Sequence, residues 1–235
     1  MEQFSKLTTG KAAFVAGVAI LIMVVTVPIA EFGIFPYLFS QDPGKTAQQL
    51  ASHKTLFVVG VFLNFITIVC DVVAAWALYI FFAPANRIIS LLTAWFRLLF
   101  ASLYLIALAN LLQIVSLLNN LDLFQSMENE QVFDLILHHF YSFELQWSFA
   151  LLLFGIYLGL LGFLALQSRY VPNLLGLLLG IGGAGYLINS AGKLLFPSIN
   201  TEFLTITFLG ELVFMLWLLI KGRKIKTNSD AFVSA

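Results

Sequence analysis

Five ionisable side chains, Glu31, Asp71, Arg97, Glu144 and Glu211, fall inside apolar runs long enough to cross a bilayer. An ionised group at the centre of hydrocarbon costs roughly 2.5–3.5 kcal/mol on insertion scales. Each of the five must therefore be paired, hydrated or used. Asp71 and Arg97 flank the short polar break Pro84-Ala85-Asn86-Arg87, about a dozen and about ten residues away from it. A tight hairpin there brings the two to similar depth, and an ion pair locking two helices is the reading for them. Arginine suits that role because its planar fork grips a carboxylate and keeps its charge. Glu211, one turn after Thr207, has no evident basic neighbour, so it is either neutralised or has a task. Glu31 follows Pro28 by three residues, and that proline is expected to kink its helix and free a carbonyl. His138, His139 and Glu144 gather near the start of one apolar block, and Gly182, Gly185, Asn189 and Lys193 share one helical face.

These residues divide by the chemistry open to them. Glu211, Glu31, Asn189, Lys193, His139 and Glu144 are the candidates for binding a ligand, and Asp71 with Arg97 the structural pair. Lys193 also invites a simpler reading, in which it snorkels to headgroups. A metal site from His139, Glu144 and Glu31 would need a further ligand that the sequence does not place. No catalytic residue, metal or cofactor is assigned, since no nucleophile motif or cofactor fingerprint occurs. The Gly-rich run 176–185 is no phosphate loop: a following Lys-Ser/Thr is absent, and it reads as helix packing.

Composition says which elements must carry these groups. Apolar residues make up 60% of the 235 positions and charged residues only 10%, whereas soluble domains are about 25% charged. The apolar residues come in runs rather than in alternation with regular turns, which predicts helices and excludes a closed barrel. The expectation is an all-α, polytopic transmembrane bundle forming one integral membrane domain over 1–235. Its six spans cover about 12–35, 56–82, 88–118, 145–166, 171–195 and 203–220, with an interfacial helix at about 132–141 before the fourth and a tail over 221–235. The first 30 residues also suggest a cleaved leader, but an apolar core of about 18 residues is long for one and Pro28 sits badly at a cleavage site. Asp42-Pro43-Gly44 reads as a turn.

Charge orients the spans. Of the 12 basic residues, Lys6, Lys11, Arg87, Arg169, Lys221, Arg223, Lys224 and Lys226 collect on one side, against Lys45, Lys54 and Lys193 on the other. That excess puts both termini in the cytoplasm of a cell whose inner or plasma membrane holds the protein. The net charge is zero, so no nucleic-acid partner is expected; the bilayer is the first partner, a small-molecule or lipid ligand the second, and oligomeric state stays open. The lone Cys70 lies in an apolar run and forbids an internal disulfide. One face of the second span, Gly60, Asn64, Thr67, Asp71 and Ala75, is small and polar and must face the bundle interior.

Several segments together resemble a known family. They are Cys70-Asp71, Pro84-Ala85-Asn86-Arg87 with Phe96-Arg97, His139-Phe140-Tyr141-Ser142-Phe143, Gly185-Tyr186-Leu187-Ile188-Asn189-Ser190, and Gly210-Glu211-Leu212 leading to Trp217-Leu218. Over nearly its whole length the chain resembles the bacterial integral-membrane family described as domain of unknown function 4386. The resemblance implies a six-helix protein of this length with polar positions at Asp71, Arg97, His139 and Glu211, and carries over no activity. Glu144 stands where that family commonly has Asp, and Asn189 where Asp is common, which disfavours a mechanism needing a carboxylate on the fifth span.

Three functions stay open from the sequence. The first is a non-enzymatic protein that binds or passes a small molecule, ion or lipid through a polar cavity open to the outer leaflet, lined by Glu31, Asn189, Lys193 and Glu211. The second is a structural or accessory protein whose charges only specify helix pairing. The third is an enzyme acting on lipid with His139 as base, oriented by Glu144 or Glu31, which lacks a nucleophile or metal set.

Overall fold

The computed structural model describes residues 7–40, 43–120, 129–196 and 208–227. These are helical, with no strand among them. Helix α1 runs over Thr9–Leu38, α2 over Pro43–Ser52, α3 over Lys54–Phe82, α4 over Arg87–Asn119, α5 over Asn129–Gln167, α6 over Asn173–Leu195 and α7 over Leu209–Ile220. A 3₁₀ turn, Gly222–Lys224, follows α7.

Five helices, α1, α3, α4, α5 and α6, are long and apolar enough to cross a membrane. The sixth expected span corresponds to α7, whose 12 described residues extend about 18 Å at 1.5 Å per residue, short of the roughly 30 Å of hydrocarbon. Residues 203–207 of that expected span lie outside the described residues. The segment read as a separate interfacial helix, 132–141, is continuous with the following span in the 39-residue α5. Neither Pro nor Gly occurs between 129 and 154, so nothing in the chain breaks the helix there. The turn read at Asp42-Pro43-Gly44 is in part a helix start. Pro43 opens α2, where its missing N–H has no partner to lose, and Thr46 Oγ1 ties back to Ser40, accepting from its N–H at 3.0 Å. Asp42 is outside the described residues.

Contacts gather the chain into two compact units. The first comprises Met1–Ile22, Cys70–Ala101 and Ser148–Ala235, the second Met23–Val69 and Ser102–Trp147. In the first unit, glycines of α5 and α6 form a close seam. A Cβ on Gly183 would stand 2.7 Å from Gly155 O and Gly159 N, and one on Gly162 would stand 2.7 Å from Gly176 O. Backbones approach this closely only without side chains between them. The same unit joins the start of α1 to the end of α7. A Cβ on Gly10 would meet Arg223 O at 2.5 Å, and the hydroxyls of Thr9 and Thr227 lie 2.8 Å apart.

The second unit is built on an aromatic core. Phe35 has ring centroids 6.0 Å from those of Phe57, Phe140 and Phe143, and Phe39 stacks on Phe140 at 3.6 Å. Gly60 admits the Phe35 ring, which a Cβ would meet at 2.8 Å. Within α1 the residues Ile29–Ile34 form a π-helical turn, closed by Phe35 N–H donating to Ala30 O. Pro28 and Pro36 flank it. Each lacks the N–H for an i→i−4 bond, and a wider turn lets the helix continue past both.

Candidate functional site

Arg97 is the centre of the densest polar cluster, and four helices of the first unit supply it. Asn86 Oδ1 caps the start of α4 by accepting from Ile89 N–H at 3.1 Å, and Ser90 Oγ donates to Tyr79 O at 2.9 Å across the hairpin. That hairpin fixes α3 against α4 and sets Asp71 opposite Arg97. Arg97 Nε and Nη2 both donate to Asp71 Oδ1, at 2.9 and 2.8 Å. Arg97 Nη1 instead donates to the phenol oxygen of Tyr157 on α5. The guanidinium carbon also lies 4.7 Å from the Tyr157 ring centroid and 5.7 Å from that of Phe154, a placement that favours a cation.

Glu211 on α7 completes the cluster. Its Oε1 lies 3.7 Å from Arg97 Nη1, near enough for attraction but beyond a hydrogen bond, and this buried oxygen has no hydrogen-bond partner among the described residues. Tyr157 and Tyr186 also lie within electrostatic range of Glu211. Arg97 is 0% exposed, Asp71 2% and the Glu211 side chain 15%. Glu211, with no basic neighbour in the sequence, thus faces the same arginine as Asp71. A crevice beside Tyr157, lined also by Ala75, Tyr79, Ser90, Thr93 and Leu161, is too narrow for a water molecule.

A second cluster lies in the other unit. Glu31, in the π-turn of α1, accepts from Asn64 Nδ2 at 3.0 Å; the same Nδ2 reaches Gly60 O at 3.2 Å. The hydroxyl of Tyr104 donates to Asn64 Oδ1, and those of Thr26 and Thr67 lie 2.8 Å apart. Asn64 and Thr67 are buried, as are Asp71 and Ala75 further along α3, so the small polar stripe faces protein in both units. Glu144 interacts electrostatically with Glu31.

The remaining candidates are distributed as follows. Asn189 is buried on α6, and Lys193 is exposed in its last turn. His139 Nδ1 is buried without a hydrogen-bond partner among the described residues, and its ring lies 5.9 Å from that of His138. Glu31, Glu144 and His139 belong to the second unit, and Asn189, Lys193 and Glu211 to the first. Among the described residues, no group of three or more His, Cys, Asp or Glu side chains is disposed to hold a metal ion. Between α5 and α6, burial holds the Tyr170 phenol above its ordinary range, which keeps it a donor to Phe81 O at 2.7 Å.

Sequence reasoning missed Tyr157 and Tyr104. A signal existed for both: tyrosine in spanning helices favours the membrane interface, yet these two stand deep within apolar runs and are 1% exposed. A tyrosine out of place in depth points to a buried hydrogen-bond partner.

The profile of a family described as Domain of unknown function (DUF4386) matches residues 15–222. A protein of Archaeoglobus fulgidus, described as an uncharacterized protein, is 34% identical over 168 residues, covering 72% of this chain and 85% of its own length. That relative is archaeal, so bacterial origin does not follow from these similarities. No solved structure matches the chain significantly.

Proposed function

The chain belongs to the DUF4386 family, and we propose that it is a six-span protein of the cell membrane whose interior binds a proton or small cation at Glu211. The observation that carries this is the Glu211 Oε1 atom, buried, without a hydrogen bond among the described residues and 3.7 Å from Arg97 Nη1. Asp71 and Glu211 share one guanidinium, so the cluster with both carboxylates ionised bears one excess negative charge. Excess charge in a low-dielectric interior is costly, and one positive charge taken up at the unsatisfied oxygen removes it.

The architecture supports the six-span reading. Gly10 and Arg223 touch through their backbones, so the described ends of the chain emerge on one side and the number of crossings is even. Five candidate spans then require a sixth, and α7 is the remaining apolar helix. At 39 residues, α5 is about 58 Å long, nearly twice the hydrocarbon thickness, so its first turns, 132–141, lie at the interface. The excess of Lys and Arg on one side supports a reading with both termini in the cytoplasm.

The test is calorimetry on the purified protein and on Glu211→Gln, with pH and sodium or potassium concentration varied. An ion bound by the native state alone raises the melting temperature with its activity, by about 2.7 kcal/mol of stability at a hundred times Kd. The wild type should show that dependence, and Glu211→Gln should keep its fold and lose it. Identical dependence in both proteins would leave a second reading, favoured by the complete burial of Arg97: a charge cluster that only specifies how helices pack.

A further inference from the structure

The two described ends of the chain meet in the first unit, and the surface around their meeting point carries charge of one sign. The 3₁₀ turn Gly222–Lys224 is held against the first turns of α1. A Cβ on Gly222 would lie 3.2 Å from the Ala13 side chain, and the Gly10 contact with Arg223 O is closer still. The hydroxyls of Thr9 and Thr227 close the junction at 2.8 Å. Lys11, Lys221, Arg223, Lys224 and Lys226 are exposed around it. Two further exposed bases stand at the same end of this unit. Arg87 follows Asn86, whose Nδ2 donates to Gln167 Oε1 at 3.2 Å, and Arg169 precedes Tyr170, whose hydroxyl reaches Phe81 O. Phe81 in turn packs against Trp217 with ring centroids 6.3 Å apart, which ties these loops to the end of α7. The acids among the described residues of the unit are Asp71 and Glu211, both committed to Arg97.

We propose that this basic face is a binding surface for the phosphate groups of anionic lipids. Its position selects that partner. The bases stand where spanning helices end, at headgroup level, and Tyr170 and Trp217 beside them are residue types that settle at the interface. Cations at an anionic surface draw lipid by charge complementarity. The 3₁₀ turn presents Arg223 and Lys224 from a backbone already packed on α1, so less ordering is needed on binding than for a free basic tail. A lipid bridging Lys11 and the bases that follow α7 also holds the start of α1 to the turn after α7.

The experiment places the full chain in nanodiscs of phosphatidylcholine with a fraction of phosphatidylglycerol, and reads retained lipid by native mass spectrometry and stability by thermal melting. The wild type should retain phosphatidylglycerol over phosphatidylcholine and melt at a higher temperature when it is present. The triple variant R223Q/K224Q/K226Q should melt as the wild type in pure phosphatidylcholine and lose both effects, with roughly fivefold weaker preference per charge removed. K45Q, which removes a base from the second unit, should change neither. Equal retention of the two lipids by the wild type, or an unchanged preference in the triple variant, would overturn the proposal. So would glycerol phosphate in solution producing the same stabilisation, since the surface would then take a free anion. If the triple variant fails to fold, K224Q and K226Q singly must each show a graded loss of preference, and no loss in either counts against it.

Discussion

Arg97 holds Asp71 on one helix, Tyr157 on a second and attracts Glu211 on a third. Its replacement therefore leaves more uncompensated than replacement of any partner. Breaking a buried pair by removing one member costs roughly 3–5 kcal/mol. Arg97→Met should fall at the upper end of that range, because two carboxylates lose their counter-charge, and Asp71→Asn below it. Thermal melting in one detergent ranks them, and equal losses would show that Glu211 draws nothing from Arg97. Arg97→Lys should rescue little, since an ammonium is a point charge without the planar fork that reaches Asp71 and Tyr157 together. Asn64 plays the corresponding part in the second unit, taking the Tyr104 hydroxyl and donating to Glu31. Asn64→Leu should cost about 1–3 kcal/mol, the desolvation of groups left without partners, and Tyr104→Phe combined with it should add less than its own separate cost. Strict additivity in that cycle would deny the coupling.

At the scale of elements, the seam between α5 and α6 makes opposite claims for neighbouring glycines. Gly183→Ala would drive a Cβ to 2.7 Å from Gly155 O and Gly159 N, atoms of backbone that cannot turn aside. The helices must part, at a cost of about 1–3 kcal/mol for overpacking. Cβ atoms at Gly159 and Gly180 would meet nothing within 4 Å. Alanine there should be neutral, or stabilising by up to about 1 kcal/mol through helix propensity. Melting temperatures of the three variants decide it, and a loss at Gly180 as large as at Gly183 would refute the seam. The glycine spacing Gly155, Gly159, Gly162 against Gly176, Gly180, Gly183 can be seen in the sequence as close-packing helix faces. Which glycines face backbone and which face open space depends on the rotation of each helix, which no spacing rule supplies. Likewise Pro28 announces a disturbance in α1, but not its form. The structure gives that disturbance as a π-turn over Ile29–Ile34.

For the whole molecule, the touching of Gly10 and Arg223 makes a topological claim that composition alone does not. In a background with Cys70 replaced, single cysteines at Pro84, Arg169 and Lys226 should react with a membrane-impermeant maleimide from one side. A cysteine at His53 should react from the other. Labelling of Lys226 from the same side as His53 would remove the sixth crossing and with it the proposed architecture.

The sequence by itself determined that this chain is helical and made for a membrane, because the backbone in hydrocarbon must satisfy its own hydrogen bonds and long apolar runs leave only helices. It also determined that Asp71 and Arg97 should be neighbours, since a break of a few residues leaves adjacent helices no other way to run. Tertiary structure alone decided that Glu211 faces Arg97, that Tyr157 also meets the guanidinium, and that the start of α1 meets the turn after α7. Those contacts join helices far apart in the chain. Side-chain spacing records the period of one helix but not the azimuth at which it meets another, so the five charges of the sequence became two clusters only when the helices packed.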